Sequence, residues 1–189
     1  MSERTESLPI PGWLQVKGGI HIGIVVFGSG VGFMMGILEV EVDDGSYRTL
    51  EAFAADAGRL FYSSHYFVDV ETGDGDLNYI TQFDFGHPAF LLYFVPVLLL
   101  IYGGYFLAAK SASQEKTGAS LAGTSLLIGY FPLVVVGTQV FSWVEPSRHL
   151  EPVFLDSLVF AGILYPVVFG AIGGYLWFVR QRLSLSLFS

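Results

Sequence analysis

The side chains with the most evident chemistry crowd into two segments between apolar stretches. His65, Asp69, Glu71, Asp74, Asp76 and His87 lie in one and His149 in the other, and "DVETGDGD" at Asp69–Asp76 sets acids at alternating positions. Alternating carboxylates often supply oxygen ligands to calcium. Here the EF-hand pattern is incomplete, because no glutamate follows at the required distance. No two histidines share the helical spacing of a strong zinc pair either. An acidic loop without such a pattern is usually a solvated surface, so no metal ligand is assigned and no cofactor is expected.

Other chemistries fail on residue type. The chain has no cysteine, which removes disulfides, thiolate metal sites and a cysteine nucleophile. No glycine-rich phosphate loop follows a strand, no nucleophile motif is present, and no basic patch suits nucleic acid. An enzyme is the weakest class, and no catalytic or cofactor-binding residue is assigned.

What must position these residues is a set of membrane spans. Of the 189 residues, 52% are hydrophobic, and four long apolar stretches hold the excess: Ile20–Leu38, Pro88–Ala109, Ala119–Val144 and Phe154–Val179. About 20 apolar residues cross the hydrocarbon as a helix. Only Asp156 carries a charge within them. The first stretch exceeds a signal-peptide core, lacks a plausible cleavage site and reads as a retained span. The fold class is an all-α membrane protein of four transmembrane helices. Its parts are an arm at 1–19, spans at 20–38, 88–109, 119–144 and 154–179, and a tail at 180–189. Between the spans lie a long loop at 39–87 and short ones at 110–118 and 145–153.

Charge orients the bundle. Lys17, Lys110, Lys116, Arg180, Arg182 and Arg4 are six of the nine basic residues, and all flank one side. The positive-inside rule therefore places both termini in the cytoplasm of a multi-pass cell-membrane protein, with 39–87 and 145–153 outside. Acids are more lopsided, with 14 of 17 on the outer side when Asp156 is counted there. With scarce lysine and a pI near 4.8, this is the surface of a protein facing concentrated salt.

Spans of this kind meet through small and polar residues. Gly28, Gly32 and Gly36 fall on one face of the first span, where a neighbouring helix can come close, in the same chain or another. Gly30 lies on a different face. The prolines and glycines of "LPIPGWLQVKGG" argue against a regular helix in the arm. Gln139 in the third span is a candidate for hydrogen bonding to another helix. In the outer loop, Leu50, Phe53, Ala54, Ala57, Leu60, Phe61 and Ser64 recur at helical spacing. That spacing predicts an amphipathic helix on the membrane surface or against the bundle. A small hairpin follows it, around the Gly-Asp turn.

One pattern occurs twice. "PVLLLIYGGY" from Pro96 and "PVVFGAIGGY" from Pro166 match at Gly103/Gly173, Gly104/Gly174 and Tyr105/Tyr175, and Lys110 meets Arg180. An offset of 99 similarly aligns Lys17, Gly19 and Gly30 with Lys116, Gly118 and Gly129. We read two tandem helical hairpins related by an axis along the membrane normal, the first carrying the inserted loop. Each repeat proline should bend its helix, and each glycine pair should face inward.

The order of spans, the acidic loop after the first, and "LFYSSHYFVDV" at Leu60–Val70 resemble uncharacterised four-helix membrane proteins of haloarchaea. The resemblance implies no function for any residue. The ring-flanked His65 is expected to cap the loop helix or to touch a partner. The functional expectation is a non-enzymatic accessory or structural subunit, with the lipid bilayer and other membrane subunits as partners. An oligomeric transporter or channel is the alternative, as is a sensor built on the outer loop. A channel would require Thr124, Ser125, Thr138, Gln139 and Ser142 to converge in one cavity.

The topology has a direct check. In intact cells, an impermeant thiol reagent should label Ser46→Cys and leave Ser113→Cys untouched. The reverse pattern would invert the bundle.

Overall fold

The computed structural model of the chain describes residues 12–41, 49–72, 75–82, 88–111, 113, 115–142 and 150–187. Four helical stretches are long and apolar enough to cross a membrane: Val16–Glu41, Ala89–Ser111, Lys116–Val140 and Phe154–Ser184. The first is a single helix, α1 (Gly12–Glu41). It begins inside the segment expected to be an irregular arm, because both prolines precede it. There a missing N–H leaves no helical hydrogen bond unmade. Gly18 and Gly19 sit within α1 because Leu107 and the backbone of Ser125 press against them.

The other three spans are interrupted. The second opens with a 3-10 turn over Ala89–Tyr93 and continues as α3 (Phe94–Ser111). Pro96 thus falls in the first turn of α3, where it breaks no hydrogen bond. The third is α4 (Lys116–Thr124) and α5 (Leu127–Val140), divided by a turn at Ser125–Leu126. Pro132 inside α5 removes the donor that the Ile128 carbonyl would otherwise receive. The fourth starts with a short turn, α6 (Phe154–Asp156), passes through a π-helical segment at Ser157–Leu164, and becomes α7 (Tyr165–Leu187). α7 carries the helix into the expected tail. Pro166 stands at its start, so both repeat prolines sit where a non-α section gives way to a regular helix.

The regular halves pack backbone to backbone at the end that carries Lys17, Lys110, Lys116, Arg180 and Arg182, the basic end. A Cβ on Gly104 or Gly123 would strike the backbone of Gly170, one on Gly173 that of Ile101, and one on Gly174 that of Ala119. Gly103 faces Val26 and Ile22 of α1. Both glycine pairs therefore face inward. Their partners differ from a strict two-fold, which would turn Gly173, like Gly103, toward the preceding hairpin helix and not toward α3. Gly23 and Gly129 make the matching close approach between α1 and α5.

The opposite, acidic end carries α2 (Leu50–Ser63) and a small sheet. β1 (Val70–Thr72) pairs antiparallel with β2 (Gly75–Leu77) and, on its other edge, with β3 (Glu151–Pro152), a strand that the sequence did not announce. The register sets Glu71 directly opposite Asp76 on one side and Glu151 on the other. Three carboxylates therefore stand in a row on one face, an arrangement that destabilises a sheet. Asp69 beside them has a raised pKa, from burial first and then from Asp156 and Asp76.

Salt should relieve this row, since screening shortens from about 10 Å at 0.1 M to about 3 Å at 1 M. We expect the melting temperature to rise with sodium chloride, and Glu71→Gln to recover part of that gain at low salt. A variant as salt-dependent as the parent would show that the row is already neutralised.

Candidate functional site

The site is built by α2. Thr49 caps its start, accepting the Ala52 N–H on Oγ1 at 3.2 Å. Leu50 is exposed, yet every residue from Ala57 to His65 is buried. A helix lying on a surface keeps a polar face throughout its length. This one loses it after about two turns, so its C-terminal half has entered the bundle. Phe61 docks on Gly30 of α1, where no side chain obstructs it, and Gly58 receives the ring of Phe141. Phe27 meets Phe61 and Tyr130 edge-on, each at 5.5 Å.

α2 ends at Ser63, and His65 follows it among the rings of Phe61 and Tyr165, both 5.0 Å away. Tyr130 lies near the middle of the third span, which sets the depth of the site. His65 Nδ1 faces the carbonyls of Phe61 at 2.9 Å and Tyr62 at 3.2 Å. Carbonyls only accept, so Nδ1 carries the proton. Nε2 is then the acceptor and takes the Tyr130 O–H at 3.0 Å. Alongside, Tyr62 donates to the Val134 carbonyl at 2.5 Å. The ring is therefore a neutral tautomer with both nitrogens occupied. Loss of water around the charged form pulls its pKa from 6.5 to about 4, against the two carbonyl bonds, which favour that form.

Nearer the acidic end, Arg59 is almost fully buried and pairs with Asp56 at 2.6 Å. The Tyr79 hydroxyl donates to the same Asp56 oxygen at 2.6 Å. Burial, then the Asp56 charge, raise the pKa of that phenol. Together these contacts tie the entering helix to the loop behind it.

The other singled-out residues are spread over the bundle. Gly28, Gly32 and Gly36 face outward, and a Cβ on any of them meets nothing within 4 Å. The close packing within the chain belongs to Gly30, on the face that the sequence left aside. Gln139 is exposed at the acidic end of α5. Thr124, Ser125, Thr138 and Ser142 each donate to the carbonyl three residues earlier in the same span. Thr124 and Ser125 lie on the basic side of the third span and Thr138 and Ser142 at its acidic end, so the four do not converge at one level. His21 is exposed, its Nδ1 2.8 Å from the Lys17 carbonyl. Asp74, His87 and His149 lie outside the described residues, and among the described ones no group of three histidines or acids could hold a metal.

Sequence reasoning missed Tyr62, Tyr130 and Tyr165 as partners of His65. Tyr62 lay inside the quoted aromatic motif. Tyr130 and Tyr165 looked like any other aromatic residue of a span, and only the entry of α2 brings them to the histidine.

A model of a family of unknown function, DUF7978, matches residues 12–181, so the chain belongs to that family. No curated protein and no solved structure matches it.

The histidine makes a pH prediction. A base whose folded pKa is depressed adds stability that is complete above its unfolded value. That stability is lost as pH falls toward the folded value. Between pH 6.5 and about 4, the range His65 sets, the protein should lose about 1.4 kcal/mol per unit. Melting curves of His65→Gln should be flatter across this window. An unchanged slope would assign the acid sensitivity to other groups.

Proposed function

We propose that this member of the DUF7978 family is a non-enzymatic subunit of a larger membrane assembly, joined to a neighbouring transmembrane helix through the outward face of α1. One observation carries the reading. Among the spans' glycines whose surroundings are described, only Gly28, Gly32 and Gly36 meet nothing within 4 Å, while all the others are packed. A row of glycines against lipid forgoes side-chain contact without return, whereas against a second helix it permits close backbone approach. Elsewhere on α1, an apolar groove of about 160 Å³ lies against the second span, lined by Phe33, Ile37, Ala89, Leu92 and Val95. The scattered, self-bonded hydroxyls of the third span weigh against a polar path through a single chain.

The finer placement belongs to the same reading. Basic residues at one end support a multi-pass cell-membrane protein with cytoplasmic termini. The matched proline and glycine positions favour two tandem hairpins. The acidic, lysine-poor composition and the crowded sheet carboxylates favour a haloarchaeal home in concentrated salt.

Two substitutions on α1 test this. Gly30→Ile should destabilise the isolated chain by about 1–3 kcal/mol, because it drives a β-branched side chain into Phe61. Gly32→Ile should leave the melting temperature of the monomer unchanged. It should abolish co-purification, in mild detergent, of whatever subunit accompanies the wild type. A Gly32→Ile protein that keeps its companions would reject the interface.

A further inference from the structure

The basic end holds a feature that the assembly reading leaves unused. The chain has a net charge of −8, yet Glu115 is the one acidic side chain in 90–125 and 157–189, the stretches that build most of this end. The cations there are held over rings. Lys110 Nζ lies 4.6 Å from the centre of Phe106, Lys116 Nζ 4.9 Å from Tyr175, and the Arg182 guanidinium 5.0 Å from Phe178. Arg180 donates to the Tyr105 hydroxyl.

Two of these cations share one platform. Tyr175 and Phe178 stack at 6.5 Å with 28° between their planes, so Lys116, two rings and Arg182 form a continuous strip across α4 and α7. Phe178 packs against the buried alanines 108, 119 and 122, which fixes the platform. Lys116 and Arg182 themselves are exposed, as is Glu115 beside Lys116. Above the strip, Val168, Ile172 and Tyr175 expose an apolar column along α7 toward the middle of the bundle.

We propose that this strip is a binding site for an anionic phospholipid. Lys116 and Arg182 attract the anionic headgroup from the two ends of the strip, the rings between them carry the glycerol region, and the Val168–Ile172 column receives an acyl chain. Phosphate chemistry alone would admit a soluble anion. The column selects a lipid, because a free phosphate has nothing to place on it. Cations resting on rings are already oriented, so a phosphate gains more from them than from freely moving lysines.

Native mass spectrometry of the full-length protein, titrated with phosphatidylglycerol or phosphatidylcholine of identical chains, tests the site. The expected result is preferential retention of phosphatidylglycerol. Lys116→Gln and Arg182→Gln should each reduce that preference about fivefold, the effect of one interfacial cation. Lys110→Gln, on the second span, is the control for diffuse charge and should change it far less. Equal retention of the two lipids by the wild type overturns the site, and needs no variant to fold. So does an equal loss from Lys110→Gln, which would mean diffuse attraction. Equal thermal protection by soluble glycerol phosphate would move the ligand from a lipid to a free phosphate and overturn the lipid assignment.

Discussion

A helix that ends inside a helical bundle must satisfy its last carbonyls there, and the acidic end of this protein is arranged around that requirement. Water satisfies helix ends at a surface, but in hydrocarbon each unpaired group is expensive. Here the accounting closes. Leu60 O accepts the Ser64 N–H, and Phe61 O accepts both the Ser64 hydroxyl and His65 Nδ1. Tyr62 O accepts the His65 N–H, and Ser63 O accepts from Tyr66 N–H and Asn78 Nδ2. His65 serves this end twice, through backbone and ring, before its other nitrogen reaches Tyr130. The chain then turns sharply at Tyr66, whose φ of 63° lies in the left-handed region, and leads back to the sheet. Such a conformation is unfavourable for a bulky residue and persists only where its surroundings impose it.

The irregularity of the surrounding spans fits the same demand. Three of the four abandon the α form at some point: a 3-10 turn in the second, a break and Pro132 in the third, and a π segment in the fourth. The 3-10 turn and the π segment lie at the end where α2 enters and Pro132 in the half toward it, while the break at Ser125–Leu126 falls on the basic side of the third span's middle. At the basic end, by contrast, α3, α4 and α7 meet through glycine and alanine at backbone distance, which admits no extra element. Large aromatic side chains fill the layer at the acidic end and small residues close the one at the basic end. The first layer accommodates an inserted helix, and the second anchors the bundle.

How much of this was legible follows from what periodicity can and cannot encode. Length and hydropathy marked all four spans, because crossing hydrocarbon demands a minimum run of apolar residues. Helical spacing also found α2 from Leu50 onward. Its depth was hidden, since the apolar face of a surface helix and that of an entering helix read alike. The glycine row shows a second limit. Residues 28, 32 and 36 do share a face, but periodicity groups residues without saying what they touch. Gly30, two positions away, meets Phe61 from a loop helix that no local pattern could place there. In α1, nearby prolines outweighed the tertiary contacts that hold Gly18 and Gly19 in a helix.

His65 joins these levels. Read in sequence beside Asp69, Glu71 and Asp76, it belonged to a candidate set of metal ligands. The fold separates it from them by carrying the end of α2 into the bundle, while the acids stay on the sheet. Its neighbours become tyrosines and carbonyls, which fix one neutral tautomer and leave no lone pair for a metal. The same residue type thus changes role with depth. In the loop it would be a solvated base, and inside the bundle it is the buried group that lets a helix end among rings.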